Sequence, residues 1–145
     1  MDKKTVLALD YGKKRIGVAT GNADFGIAFP RFVIENKGIT AVIEKVLSLC
    51  DEYQVFMIVI GLPLNMEQEQ RENEIMVEVE KFVSELKKHI PNDIRIELFD
   101  ERLSTFEADK LMGEANESAG RVKLGRDAFA AQIILQRFFD NTGKK

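Results

Sequence analysis

Two residue types on which much enzyme chemistry depends are nearly missing: the chain of 145 residues has one cysteine and one histidine. Cys50 has no partner for an internal disulfide, and the pattern Ile39, Val42, Ile43, Val46, Leu47, Cys50 puts it on the apolar stripe of a helix, as a buried, inert thiol. His89 follows Lys87 and Lys88 at a helix end before Pro91, where a surface histidine complements the helix dipole. No zinc cluster and no Ser-His or Cys-His nucleophile pair can be built from such a set. A P-loop and a Gly-x-Gly-x-x-Gly fingerprint are also absent from the sequence. Only Val6 to Leu9 separate the polar N-terminus from Asp10, so neither a signal segment nor a membrane span is expected, and the cytoplasm follows by default. A strong basic excess is lacking too. The net charge of −3 argues against a protein that coats nucleic acid generally, and any nucleic-acid site has to be local.

What is present is the profile of a packed domain: 45% apolar residues, 31% charged, 3 prolines and 10 glycines. The length suits one domain spanning residues 1–145. Thr5 to Leu9 and Arg15 to Thr20 read as a hairpin around Tyr11-Gly12-Lys13-Lys14. A third strand, Ile27-Ala28-Phe29 and Phe32-Val33-Ile34, is interrupted by Pro30, which suggests an edge or a bulge and completes a meander. Helical spacing over Gly38 to Tyr53 precedes the apolar run Val55 to Ile60, which suits a strand buried on both faces. A long helix from Glu67 to His89 and a fifth strand, Ile94 to Phe99, follow. Ser104 to Glu107 fits a capping box, residues 113–124 lack any period, and a last helix runs from about Gly125 to Asp140. The order predicts an α/β fold: a mixed five-stranded sheet, an antiparallel meander plus two parallel strands, with helices on both faces.

Acids stand at the ends of these elements. Asp10 continues the row of Val6 and Ala8, so it either turns back to cap the hairpin or needs an ionic partner. Asp127 opens the last helix on the stripe of Ala131, Ile134 and Phe138, where a helix dipole and a metal ion would each favour an acid. At the end of the fifth strand, Asp100 is in phase with Ile94, Ile96 and Leu98, and Glu101 with Phe99. Phase favours Asp100 as the inward acid. Three acids from separate elements suit a hard cation, Mg²⁺ or Mn²⁺, of the kind that activates water in phosphodiester hydrolysis. Basic residues cluster at Lys13-Lys14-Arg15 and at Arg121, Lys123 and Arg126.

Leu9-Asp10-Tyr11-Gly12, Lys14 to Ala19, Ile60 to Met66, Asp100 to Thr105, and Lys123 with Asp127-Ala128 and Ala130-Ala131 together resemble the YqgF/RuvX family. Its members are named as Holliday junction resolvases and as pre-16S rRNA processing nucleases. The resemblance implies an RNase H-like fold with Asp10, Glu101 and Asp127 catalytic and Asp10, Asp100, Glu101 and Asp127 as the set of metal ligands, Glu101 taken before Asp100. It implies nucleic-acid contacts by Lys13, Lys14, Arg15, Asn65, Arg102, Lys123 and Arg126. Ile60-Gly61 stands where classical resolvases carry a further acid, which questions a full two-metal arrangement. The expected activity is nuclease action on structured RNA such as precursor rRNA. Resolution of branched DNA and a non-hydrolytic binding module are the alternatives, and a homodimer is left open. An actin-like ATPase or sugar kinase would need a second lobe for which 145 residues leave no room.

Overall fold

The computed structural model describes residues 3–62, 69–100 and 125–142, the side chains of 69–73 and 125–126 excepted. Three strands open the chain, β1 (Thr5–Asp10), β2 (Arg15–Asn22) and β3 (Ile27–Glu35). Helix α1 (Ile39–Glu52), strand β4 (Val55–Leu62), helix α2 (Glu69–His89), strand β5 (Arg95–Asp100) and helix α3 (Gly125–Thr142) follow. The strands form one sheet in the order β3-β2-β1-β4-β5. β1 pairs antiparallel with β2 and β2 with β3, whereas β1 with β4 and β4 with β5 are parallel. This is the mixed sheet expected from the sequence. β3 is an edge strand that runs unbroken through Pro30, and the missing donor is absorbed by a register shift between Val18 and Ala19 opposite it.

Side-chain alternation divides the core into two layers. Leu7, Leu9, Ile16, Val18, Ile58 and Ile60 pack beneath α1 and α2 against Val42, Val46, Leu49, Phe82 and Leu86. On the other face Val6, Ala8, Ala19, Ala28, Val59 and Phe99 meet Ala131, Ile134, Leu135 and Phe139 of α3. β4 is buried on both faces, as its apolar run predicts. Cys50 is buried, and burial pushes its thiol pKa up to about 11.

The residues beneath α3 are small, and this sets how close the helix lies. A Cβ on Gly21 would come 2.6 Å from the Phe139 ring, and one on Gly17 would overlap the Asp127 carbonyl oxygen. Both glycines are there because a backbone or ring occupies the side-chain position. α3 also covers the exposed backbone of β3. The Gln136 amide oxygen accepts the Ala28 N–H at 3.0 Å, its nitrogen donates to the Gly26 carbonyl at 2.8 Å, and Gln132 donates to the Ala28 carbonyl at 3.1 Å. An edge occupied in this way is a poor template for another strand. The capping box at Ser104 and the aperiodic stretch 113–124 lie outside the described residues.

Candidate active site

The carboxyl ends of the parallel strands β1, β4 and β5 lie side by side, the position at which open α/β sheets bind ligands. Asp10 is the last residue of β1, and its register partners are Gly17 on β2 and Gly61 on β4. Alternation places Asp10 in the row of Val6 and Ala8, on the α3 face. Neither register partner has a side chain, and the side-chain position of Gly17 is taken by the α3 backbone at Asp127.

Asp127 reaches the same place from the other layer. It lies in the first turn of α3, next to the fully buried Ala128, and its carbonyl is packed against Gly17, the strand neighbour of Asp10. Paired Cα atoms in an antiparallel ladder are about 5 Å apart, so the backbone contact at Gly17 brings the two acids to one end and one face of the sheet. The Asp127 carboxylate is about one-third exposed, at 34%, and accepts a hydrogen bond from Arg15 Nε at 3.2 Å. The link spans 112 positions of sequence and ties the start of β2 to the start of α3.

Asp100 keeps the phase read from the sequence, in the row of Ile94, Ile96 and Leu98. Its register partner is Leu62, and the row Ile94, Ile96, Leu98, Asp100 belongs to the α1/α2 face, where Ile94 is buried in the layer that holds Leu86 while Leu98 is 51% exposed. That row lies on the face opposite Val6 and Ala8, the row of Asp10. Phe99 is the β5 residue on the α3 face. Glu101, Arg102, Asn65 and Lys123 lie outside the described residues, as does the side chain of Arg126.

The basic group after Asp10 forms the rim. Lys13, Lys14 and Arg15 are exposed, Lys13 Nζ sits 2.7 Å from the Glu74 carboxylate, and Arg15 holds Asp127. Tyr11 is buried, its ring 5.1 Å from that of Phe82. Burial raises its phenol pKa, a hydrogen bond with the Asn36 side chain pulls it down, and Glu78 raises it further. Sequence reasoning missed Asn36, because an asparagine after a strand looks like any other turn residue until the β2–β3 register is known.

As donors, Asp10 and Asp127 are hard carboxylate oxygens that suit a divalent cation of the Mg²⁺ or Mn²⁺ type. Among the described residues no group of three His, Cys, Asp or Glu side chains is placed to hold a metal. The two acids therefore fit as part of such a set.

This sheet order, with helices on both faces, is that of the RNase H-like resolvases. Two solved structures share the fold: T. thermophilus RuvC in complex with a Holliday junction substrate, with a TM-score of 0.59, 11% identity and coverage of 97% of this chain and 96% of that one; and the Fowlpox virus resolvase with its substrate Holliday junction DNA, with a TM-score of 0.59, 7% identity and coverage of 97% and 99%. Residues 4–141 match the family described as RuvX: Holliday junction resolvase, and the chain belongs to that family. A relative from Nitrosospira multiformis named "Putative pre-16S rRNA nuclease" is 36% identical over 136 residues, which is 94% of this chain and 87% of that protein. One of the same name from Clostridium botulinum is 39% identical over 144 residues, covering 96% and 98%.

Proposed function

We propose that this protein is a metal-dependent nuclease that hydrolyses phosphodiester bonds in structured RNA, acting at the 5′ end of precursor 16S rRNA. The observation that supports the reading is the placement of Asp10 at the end of β1 and of the Asp127 backbone against its register partner Gly17, beside an exposed basic loop. Asp10, Asp127 and Glu101 would hold the cation, which when bound supplies Lewis-acid activation of water and stabilisation of the leaving oxygen. Glu101 is preferred to Asp100, because Asp100 belongs to the strand row on the far face. Lys13 and Lys14 hold substrate phosphates at the rim, and Arg15 both steadies Asp127 and adds positive charge where the backbone enters. Lys123, Arg126, Asn65 and Arg102 complete the nucleic-acid contacts.

The second reading keeps the chemistry and changes the substrate to a four-way DNA junction, as the family description names. Purified protein is offered matched precursor-rRNA and junction substrates with Mn²⁺, Mg²⁺ or a chelator. Cutting of the RNA at its 5′ flank, with the junction left whole, supports the first reading; cutting of the junction alone replaces it with the second. Binding of both without cutting of either would make the protein a nucleic-acid-binding module.

A further inference from the structure

Four residues, Tyr11 to Lys14, connect Asp10 to Arg15, so the shape of this short loop decides where three cations stand relative to the acid. Loops of this kind wander unless their backbone groups are held. Here the holding is done from outside the hairpin, by the residue that follows β3. Asn36 Nδ2 donates to the Gly12 carbonyl at 2.8 Å, and the Asn36 backbone N–H donates to the Lys14 carbonyl at 2.9 Å. Its side chain also hydrogen-bonds the Tyr11 side chain. Its Oδ1 accepts the Gly38 N–H at 3.1 Å, just before α1 begins. An amide hydrogen and the amide oxygen are thereby used. Asn36 fixes Tyr11 and Gly12 through its half-buried side chain and Lys14 through its backbone N–H, and its bond to Gly38 anchors them to the start of α1.

We infer that Asn36 is a positioning residue for the nucleic-acid site: it holds the Tyr11–Lys14 loop in the shape that presents Lys13, Lys14 and Arg15 to substrate phosphates. The inference rests on the proposed reading of that loop as a phosphate-binding rim. A purely local role as a turn residue would use only the bond to Gly38, two positions on. The bonds to Gly12 and Tyr11, 24 and 25 positions away, have no part in that turn.

Asn36→Asp separates the two roles, because the carboxylate keeps the acceptor for Gly38 and removes the donor to the Gly12 carbonyl. Binding of the full chain to a short structured RNA is measured over a range of salt in chelating buffer, alongside thermal melts and, with Mn²⁺, the split between kcat and KM. The expected result is binding weakened about tenfold, a salt dependence flatter by about one phosphate contact, and KM raised with kcat little changed. Tyr11→Phe, which keeps the ring against Phe82 and loses one of the bonds, shifts binding the same way by a smaller factor and decides the matter if Asn36→Asp does not fold. Asn22→Ala is the matched structural control: Asn22 accepts the Asp24 and Phe25 N–H groups in the turn at the opposite end of β2, so its loss lowers the melting temperature and leaves the salt slope alone. If Asn36→Asp or Tyr11→Phe melts lower but binds RNA with the parent's affinity and salt slope, Asn36 is only structural and the inference falls. If Asn36→Asp binds normally while Lys14→Ala does not, the rim reading stands without it. If the parent neither binds nor cuts RNA or junction DNA, the functional reading itself has failed.

Discussion

The pair Arg15–Asp127 governs what a single-residue test can show. Its two side chains are 64% and 34% exposed, and pairs of that exposure contribute at most about 1 kcal/mol. Asp127→Asn keeps the shape of the side chain and removes its charge, so hydrolysis is lost while stability changes by less than about 1 kcal/mol. Activity assays paired with thermal melts check this; an active variant that melts clearly lower would make Asp127 a structural residue. At Cys50 the prediction concerns pH. Burial raises the thiol from its ordinary 9.0 to about 11, so between those values the folded state keeps a proton that the unfolded chain has lost. The stabilisation is complete below pH 9 and is lost as the pH rises through 11, by up to about 2–3 kcal/mol. Urea melts at pH 8 and above pH 10 should show a steeper fall in the parent than in Cys50→Ala. Equal slopes would mean that the thiol titrates normally. The inert character of Cys50 was legible from its helical stripe, whereas the partner of Asp127 was not, because Arg15 lies 112 positions away and no local pattern links them.

Among the elements, α3 does most to build the site, because it carries Asp127 and its height above the sheet is fixed by Gly17. Gly17→Ala would drive a Cβ into the Asp127 carbonyl oxygen, and neither backbone can yield without moving the first turn of the helix. The expected cost is about 1–3 kcal/mol. Cleavage should fall far more than that loss of stability accounts for, since Asp127 moves with the turn. Gly26→Ala is the contrast: Gly26 has φ +67° in the β2–β3 turn with open space around its Cα, so alanine costs about 1–2 kcal/mol in backbone strain and leaves cleavage unchanged. Equal loss of activity in the two would show that stability alone is being read. The elements themselves were readable from period and punctuation, including the edge character given to β3 by Pro30. The face on which each acid lies was harder. Alternation correctly put Asp100 with Ile94 and Ile96, but a strand covered on both sides has two inward directions, and only the register with β4 shows that this row meets α1 and α2.

For the whole molecule, a net charge of −3 combined with an exposed Lys13-Lys14-Arg15 rim predicts nucleic-acid binding that is local and salt-sensitive. Lys14→Ala combined with Arg15→Ala should flatten the salt dependence by about two phosphate contacts. An unchanged slope would return these side chains to ordinary surface charge. The sheet order, the two-layered core and the packing of α3 over β1 and β2 form a frame that carries Asp10 and Asp127, far apart in sequence, to one end and one face of the sheet. The sequence carried the acids and the basic rim as motifs, but the packing of the Asp127 backbone against Gly17, the register partner of Asp10, shows only in the packed structure. The most direct test follows cleavage of the preferred substrate against Mn²⁺ concentration for the parent, Asp10→Asn and Asp127→Asn. The account predicts saturable activation of the parent that a chelator abolishes, and two variants that bind substrate yet cut at no metal concentration. Cleavage by either variant at the parent's rate, or cleavage by the parent that survives chelation, would contradict it.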